Sequence, residues 1–439
     1  MSETRDAAGH ATGDTTGLAL PADPEALRRQ GAAFLTDAFR SYGMLAHDNR
    51  VTRIARFEEF HGGNSGAKAV LDVSYAEPSN ALPTRLFAKF SRDFSDAFRD
   101  RRRFELEGEV RLADLSRHPN FPVAVPRAMF ADFDRATGTG LLITERVAFG
   151  EGAIEPLHEK CMDHLLDDPF DHYRVLVEAQ ASLAAAQKAG RLSPDLERLF
   201  PYHRSAAEAD LPIGYGPGDL EEKVADWAAL AREAPAAFPV SLGSGDFARR
   251  LLTDARAFLT HESRVRRFLQ SDPDFIALCH WNTNIDNAWF YRTADGALAC
   301  GLLDWGMARQ MNVTTGLWGG LSACDTAFLE ANLDRLLDHY CHYLARRGGP
   351  RLDRDRLGLH FDLSLAITGL ALMMDIPGLI RERAPAYRDA TGPVDRVFSE
   401  GKAVQGFVLV TGNFLNLWTR RDFGQSLRRM LETDQARGR

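Results

Sequence analysis

The chain has 439 residues, of which 45% are hydrophobic, 26% charged and 10% aromatic. These fractions exclude a collagen-like, low-complexity or wholly disordered protein, and the length predicts two lobes or domains. Asp and Glu outnumber Lys and Arg by 61 to 53, which gives a formal net charge of −8. An acidic balance argues against a protein that holds nucleic acid through its overall field, so no nucleic-acid partner is expected.

Residues 1–23 form a polar segment without the basic start and apolar core of a secretory signal, and they predict a disordered tail. The five cysteines form no paired framework, which favours reduced thiols in the cytoplasm. The longest largely apolar run, residues 363–374, is shorter than the roughly 20 residues of a membrane helix. It predicts a buried core helix, and no membrane partner is expected.

The predicted elements change in character along the chain. Apolar residues at helical spacing predict an amphipathic helix over residues 25–45, and a charged helix is predicted over 99–115. Alternating apolar residues predict strands at 51–57, 69–75, 85–90, 123–132 and 140–147. Beyond a glycine-rich link near residue 148, helices dominate except between residues 275 and 304. This order predicts an α+β protein with two unequal lobes, residues 24–148 and 149–439.

The most informative segment lies between residues 276 and 306. His280 and Asn282 are followed by Asp286 and Asn287, and Asp304 comes 17 residues after Asn287. Phosphoryl transfer requires oxygen ligands that hold Mg²⁺ against the phosphates and a group that orients the attacking hydroxyl. An Asn and an Asp at the ends of two short predicted strands supply ligands of that type.

These motifs resemble the aminoglycoside phosphotransferase and choline kinase branch of the protein kinase-like superfamily. The signature of that branch is His-Gly-Asp-x-x-x-x-Asn followed by Ile/Leu-Asp-Trp/Phe, and His280, Asn287 and Asp304 match it. The resemblance spans about residues 51–345. It implies a bilobal protein kinase-like α+β fold, ATP and Mg²⁺ as cofactors, Asn287 and Asp304 as metal ligands, and a small hydroxylated molecule as acceptor.

One position departs from the family pattern, because Asn282 stands where the catalytic Asp is expected. An amide accepts a hydrogen bond from a hydroxyl but does not take its proton at pH 7. Three outcomes therefore stay open: a slow phosphotransferase, a pseudokinase that binds nucleotide or a partner, and an adenylyltransferase on the same fold. His280 and Asp286 complete the candidate catalytic set, with Asp286 as a substitute acid/base or a group that binds a substrate cation.

The resemblance also assigns nucleotide-binding residues in the N-terminal lobe. Lys89 lies in an apolar strand, where a lysine is costly unless it is paired or meets a phosphate, and it matches the lysine that contacts the α and β phosphates. Its expected partner is Glu109, with Glu105 as a competitor. Backbone groups near Glu145 and Val147 are expected to contact adenine. A glycine-rich turn is expected to cover the phosphates through the residues Gly62, Gly63, Ser65 and Gly66.

Other classes of site fit the sequence less well. Two clusters of His and Cys, at residues 158–164 and 339–342, lack the four well-spaced ligands of structural zinc. The arginines at residues 99–103 are surrounded by acidic residues, which is typical of a solvated helix face. A serine or cysteine hydrolase is disfavoured because no Gly-x-Ser-x-Gly turn is present. The leucine-histidine pair that the resembled family has near the start of its large lobe is also absent, and Gln187 ends the corresponding run.

Overall fold

The computed structural model describes residues 11–60, 66–94, 106–400 and 404–437. The chain divides into two compact units, which we describe separately. The first unit runs to Glu155 and also contains two later segments, Leu192–Phe200 and Gly301–Arg309. The second unit consists of Pro156–Arg191, Pro201–Cys300 and Gln310–Arg439.

The first unit is built on an antiparallel sheet. Its strands are β1 (Val51–Phe60), β2 (Lys68–Tyr75), β3 (Arg85–Phe90), β4 (Ala128–Asp134) and β5 (Thr139–Glu145). They lie in the order β1-β2-β3-β5-β4. The core face of β2 follows from its alternation, because every second residue is buried: Ala69, Leu71, Val73 and Tyr75. Helix α1 (Pro24–Ser41) packs on β1 and β4, and α2 (Glu107–Ser116) packs on β4 and β5.

Residues 11–23 are ordered, which corrects the prediction of a disordered tail over residues 1–23 for that part; residues 1–10 lie outside the described residues. Thr12 and Ala19 form an antiparallel bridge. The turn between them is fixed by Asp132 of β4, whose carboxylate accepts hydrogen bonds from the amides of Thr15 and Thr16 at 3.1 and 2.8 Å. Polar composition predicted disorder, but here a buried carboxylate from a distant strand orders the turn.

The second unit is mainly helical. The helices of the second unit are α3 (Pro169–Lys188), α5 (Arg204–Ala209), α6 (Pro217–Glu233), α7 (Gly245–Leu269), α8 (Val313–Leu321), α9 (Thr326–Arg346), α10 (Arg354–Leu372), α11 (Ile376–Arg383), α12 (Gln405–Arg420) and α13 (Phe423–Arg437). The short helix α4 (Leu196–Leu199) belongs to the first unit. The described residues also form two short strand pairs, β6 (Ile276–Cys279) with β9 (Arg309–Asn312) and β7 (Ala288–Arg292) with β8 (Leu298–Leu302). The end of β8 and the first residue of β9 belong to the segment Gly301–Arg309 of the first unit.

The apolar run at residues 363–374 falls largely within α10, and the side chains from Leu357 to Ile367 are buried, so the prediction of a core helix is confirmed. Within the described ranges, no single helix is long and apolar enough to cross a membrane. Among the same residues, one pair of helices, α10 and α11, is together long and apolar enough, but the two are bent by 52° at the break between them.

The predicted α+β class is confirmed, with a β-rich N-terminal part followed by a mainly helical part. One predicted strand, over residues 123–132, begins later, at Ala128. Pro122 and Pro126 have no amide hydrogen to donate to a sheet, and Ala124 instead forms an isolated parallel bridge with Gly301. The predicted helix over 99–115 is described only from Leu106 onward, and α2 begins at Glu107.

Candidate functional site

A buried cluster of charges lies in the first unit, at the end of β3. The ammonium group of Lys89, which is 5% exposed, donates a hydrogen bond to a carboxylate oxygen of Glu109 on α2. It also donates to Oδ1 of Asp304 at 2.7 Å. The lysine and its expected partner are therefore paired, and Asp304 is a second partner. Glu105, the competing partner, lies outside the described residues.

Asp304 is held in place by its backbone. Leu302 donates its amide to the carbonyl of Ala124 at 2.9 Å, which ties the segment before Asp304 to the chain that leads into β4. Gly108 lets α2 approach the segment after it, because a Cβ there would lie 2.8 Å from the carbonyl oxygen of Gly306. Asp304 itself has a φ of +57°, a left-handed conformation that is uncommon outside glycine and that Asp tolerates. Its side chain is 45% exposed, and its Oδ1 accepts the hydrogen bond from Lys89.

The protonation of the cluster follows from burial and from charge. Burial alone would lower the pKa of Lys89, but the carboxylates of Glu109 and Asp304 outweigh burial and raise the pKa above its ordinary value. The lysine is therefore a cation throughout the physiological range. Burial raises the pKa of Glu109, with the charge of Lys89 opposing that shift. Removing either partner of such a buried pair costs about 3–5 kcal/mol, because the other charge stays buried.

A second lysine, which the sequence analysis did not single out, lies directly beside this cluster. Lys68 on β2 is the register partner of Lys89 on β3 and is 8% exposed. Burial and the nearby charge of Lys89 lower the pKa of Lys68, while Asp304 and Glu109 act in the opposite direction. No short motif marks this lysine, and only the pairing of β2 with β3 brings it to the cluster.

The glycine-rich turn is described only at its end. Gly62, Gly63 and Ser65 lie outside the described residues. Gly66 has a φ of +89°, and a Cβ there would collide with the backbone carbonyl of Phe90. A glycine is therefore required at this position by the approach of the turn to the end of β3, whatever binds there.

The residues predicted to contact adenine lie at the end of β5. Glu145 is paired in register with Leu86 of β3, and its amide donates to the carbonyl of Arg127 at 2.9 Å. Its side chain lies 3.9 Å from the guanidinium of Arg127. Val147 follows just beyond the strand and is half-buried. Their role toward a nucleotide stays a prediction.

The second unit holds the loop from His280 to Asn287. His280 is 1% exposed, and its Nδ1 accepts a hydrogen bond of 3.0 Å from the amide of Asn282. Asn287 donates from Nδ2 to the carbonyl oxygen of Asn282 at 2.8 Å, and its own amide donates to the carbonyl of Asn284 at 2.9 Å. His280 and Asn287, at the two ends of the loop, thus form hydrogen bonds to the amide and the carbonyl of Asn282 and fix its backbone.

The side chain of Asn282 is engaged by a neighbour that the sequence analysis did not include. Asn284, which is 2% exposed, donates from Nδ2 to Oδ1 of Asn282. This bond takes one of the two lone pairs of the amide oxygen of Asn282, the atom that would also accept a hydrogen bond from a substrate hydroxyl. Asp286 stands next to Asn287 and is half-buried.

Asn287 and Asp304 fit the chemistry of a hard cation when each is considered by itself. Asn287 uses its nitrogen in the bond to Asn282, so Oδ1 is the atom that is left for a cation. Asp304 offers a partly exposed carboxylate. Amide and carboxylate oxygens are the protein ligands that Mg²⁺ prefers.

Helix α8 supports the loop through glycines. A Cβ at Gly319 would collide with the carbonyl oxygen of Trp281, and one at Gly320 would collide with the hydroxyl of Thr283. The side chain of Gln180 on α3 donates to the same hydroxyl at 2.6 Å and to the carbonyl of Gly316 at 3.2 Å. The loop is therefore set by close backbone packing against α8 and by one buried glutamine.

Gln187, which ends the run where the resembled family has its leucine-histidine pair, has a structural role. Its side-chain oxygen accepts the amide of Leu278 on β6, and its nitrogen donates to Gln310 on β9 at 2.7 Å. A glutamine at this position joins α3 to both strands of the β6–β9 pair.

The chain was compared with protein-family models, curated protein sequences and solved structures, and only solved structures are similar to it. No protein-family model and no curated protein sequence matches the chain. A macrolide 2'-phosphotransferase type I is similar at 15% identity and a TM-score of 0.36, covering 81% of this chain and 95% of that chain. A choline/ethanolamine kinase family protein from Mesorhizobium loti is similar at 15% identity and a TM-score of 0.43, covering 86% and 92%.

The GDP complex of a wild-type aminoglycoside 2'-phosphotransferase-IIIa is similar at 14% identity and a TM-score of 0.40, covering 83% of this chain and 94% of that chain. The similar solved structures thus include macrolide and aminoglycoside phosphotransferases and a choline/ethanolamine kinase family protein.

Proposed function

We propose that this chain is a Mg·ATP-dependent phosphotransferase that acts in the cytoplasm on a hydroxyl group of a small molecule. In this reaction the bond between the γ-phosphorus and the β–γ bridging oxygen breaks, and a bond forms between that phosphorus and the acceptor oxygen. ADP leaves with the bridging oxygen, and the hydroxyl proton is released. The protein's contribution is mainly positioning and charge stabilisation.

The observation that carries the proposal is the buried contact of Lys89 with both Glu109 and Asp304. A lysine held between two carboxylates is already charged, and its side chain loses little conformational freedom when it binds an anion. In the proposal Lys89 binds the α and β phosphates and Glu109 holds it in place. Bound Mg²⁺ supplies Lewis-acid stabilisation of the phosphate charge, and Asp304 and Asn287 are its proposed protein ligands.

The proposed catalytic loop positions the acceptor. His280 and Asn287 hold the backbone around Asn282 through their hydrogen bonds. Asn282 then orients the acceptor hydroxyl, and Asp286 is proposed to take its proton. Gly62, Gly63, Ser65 and Gly66 are proposed to cover the phosphates, and the backbone near Glu145 and Val147 to contact adenine.

A specific observation favours a second candidate, a protein that binds nucleotide without turnover. Asn282 stands where the resembled family has a carboxylate, and Asn284 donates a hydrogen bond to its amide oxygen. An amide does not take a proton at pH 7, and with one lone pair of its oxygen engaged it has a single acceptor site left for a hydroxyl hydrogen. Catalysis then requires another group, such as Asp286, to take the proton.

Transfer of a radioactive label tests these candidates directly. The protein is incubated with Mg·ATP labelled at the γ- or the α-phosphate and with a panel of hydroxylated acceptors, including aminoglycosides, macrolides and choline. The proposal predicts acceptor labelling from the γ-phosphate alone and its loss in Lys89→Met. Labelling from the α-phosphate would instead identify an adenylyltransferase. Nucleotide binding with no labelled product across the panel would favour the non-catalytic candidate.

A further inference from the structure

The two buried lysines of the first unit face each other across neighbouring strands. Lys68 on β2 and Lys89 on β3 are directly opposite in the antiparallel register. Side chains of directly opposed residues project from the same face of a sheet. Both residues are less than one-tenth exposed, at 8% and 5%. Two ammonium groups are therefore brought to one face at the end of β3.

This arrangement is unfavourable unless negative charge offsets it. Like charges directly opposite each other destabilise a pair of strands, and burial of an ammonium group adds a desolvation cost. The carboxylates of Glu109 and Asp304 act on both lysines and make the four groups formally neutral. If Asp304 instead binds a divalent cation, its negative charge is neutralised by that cation. Lys68, Lys89 and Glu109 then carry a net charge of +1, which favours binding of an anion.

The presence of lysine rather than arginine at residues 68 and 89 is a second indication of the ligand. Only six of its 53 basic residues are Lys, and the rest are Arg. Two of those six are this opposed pair. Lysine presents a compact point charge on a narrow stem, whereas arginine presents a wider planar fork. Lysine at both positions fits a site where two cations lie side by side against one anionic chain.

We propose that Lys68 is a second phosphate-binding lysine, so that nucleoside di- and triphosphates are held by two ammonium groups from adjacent strands. The proposal rests on the proposed function, because it concerns the same nucleotide site. Lys68 contacts the phosphate chain beside Lys89, and the anion supplies the negative charge that keeps the two lysines close together. Nucleoside without phosphate gains nothing from Lys68.

Calorimetric binding of ATP, ADP and adenosine in the presence of Mg²⁺ tests the assignment. Lys68→Met is compared with the wild type and with Lys160→Met, the same change at a lysine of the second unit. We expect Lys68→Met to weaken ATP and ADP by about tenfold or more, the scale of one charged hydrogen bond, and to leave adenosine unchanged. Lys160→Met should bind all three as the wild type does.

The outcomes separate this assignment from the proposed function. If the wild type binds ATP and Lys68→Met binds it equally well, the role of Lys68 is overturned and the nucleotide site stands. If the wild type binds no nucleotide, the proposed function and the role of Lys68 both fall. An equal loss for adenosine and ATP would show that Lys68 only supports the fold.

A measurement on the wild type keeps the assignment testable if Lys68→Met does not fold. Reductive methylation followed by peptide mass spectrometry reports the accessibility of each amine, and six lysines are few enough to follow individually. Because Lys68 and Lys89 are buried, their labelling is followed as a rate over time. Saturating Mg·ADP should slow the labelling of both lysines and leave the labelling rates of Lys160 and Lys223 unchanged. Unchanged labelling of Lys68 in the saturated protein would contradict the proposal.

Discussion

Asn282 decides how fast the proposed chemistry can run. Its backbone is fixed from both sides, by the hydrogen bond to His280 and by the one from Asn287. Its side chain is the part that differs from the resembled family. Because the amide cannot accept a proton, the residue limits the proton transfer while the rest of the loop keeps its shape.

We expect Asn282→Asp to raise the rate of phosphoryl transfer by about tenfold or more, since general-base catalysis typically contributes 10²–10⁴-fold. The new carboxylate would still accept the hydrogen bond from Asn284, so the loop should keep its conformation. The measurement is kcat with the best acceptor from the label-transfer panel, and Asn282→Ala is the control that removes the polar group. A rate that does not rise in Asn282→Asp would show that another group, such as Asp286, already takes the proton.

The sequence predicted the pairing of Lys89 with Glu109, because a lysine in an apolar strand requires a partner and a glutamate on the following helix supplies one. It did not predict Lys68. The register of β2 against β3 depends on a connection over residues 76–84, whose geometry the residues alone do not determine. Asn284 was also missed, since its bond to Asn282 depends on the turn of the loop rather than on a motif.

At the level of elements, the glycines of α8 set the position of the catalytic loop. Gly319 lies against the backbone of Trp281, and Gly320 lies against Thr283. Glycine in a helix interior costs up to about 1 kcal/mol relative to alanine, so such residues need a packing reason. Close contact with the loop supplies that reason.

Gly319→Ala should therefore destabilise the protein by about 1–3 kcal/mol, because the new methyl group forces the helix and the loop apart. Gly378→Ala is the matched control, since Gly378 also lies within a helix, α11, and has open space where its Cβ would be. The control should be neutral or stabilising by about 0.5–1 kcal/mol. Urea unfolding of both variants gives the comparison, and equal stability of the two would contradict the packing argument.

The N-terminal turn is anchored by two aspartates of β4. Burial by itself would raise the pKa of Asp134, but hydrogen bonds from the hydroxyl of Thr137 and from the amides of Ala136 and Thr12 outweigh it and lower the pKa below its ordinary value of 3.8. The ionised form is therefore favoured in the folded state. Its contribution to stability is present above about pH 4 and is lost as the pH falls through the folded-state value.

We accordingly expect Asp134→Asn to be less stable than the wild type at pH 6, with the difference shrinking as the pH is lowered from 4 toward 3. Urea unfolding across this pH series measures the difference. Asp48→Asn, at an exposed position in the same unit, serves as the control. A wild-type advantage that stays constant down to pH 3 would contradict the role of the ionised Asp134.

The strands were predictable because alternating apolar residues indicate one buried face of a strand. Four of the five predicted strands of the sheet agree with the observed bounds within a few residues. The N-terminal turn was not predictable. Its order comes from hydrogen bonds to Asp132 and Asp134, more than a hundred residues later in the chain. The composition of the N-terminal segment does not indicate these hydrogen bonds.

Across the whole molecule, the chain order of strands and then helices gave the fold class. It did not show that residues 301–309 group with the first unit, because that grouping depends on distant contacts such as the bridge between Ala124 and Gly301. As a result Lys89, Glu109 and Asp304 belong to one compact unit, although 215 residues separate Lys89 from Asp304. The central claim is that this cluster binds Mg·ATP.

Thermal unfolding with and without Mg·ATP tests that claim most directly. Asp304→Asn is the informative variant, since Asn tolerates the left-handed conformation but lacks the charge, and Asp48→Asn is the matched control. ATP at 100 times its dissociation constant adds about 2.7 kcal/mol to the folded state, which corresponds to a rise of several degrees at most. We predict a rise that requires Mg²⁺, is lost in Asp304→Asn and persists in Asp48→Asn. No shift in the wild type at millimolar Mg·ATP would contradict the nucleotide site and the function proposed from it.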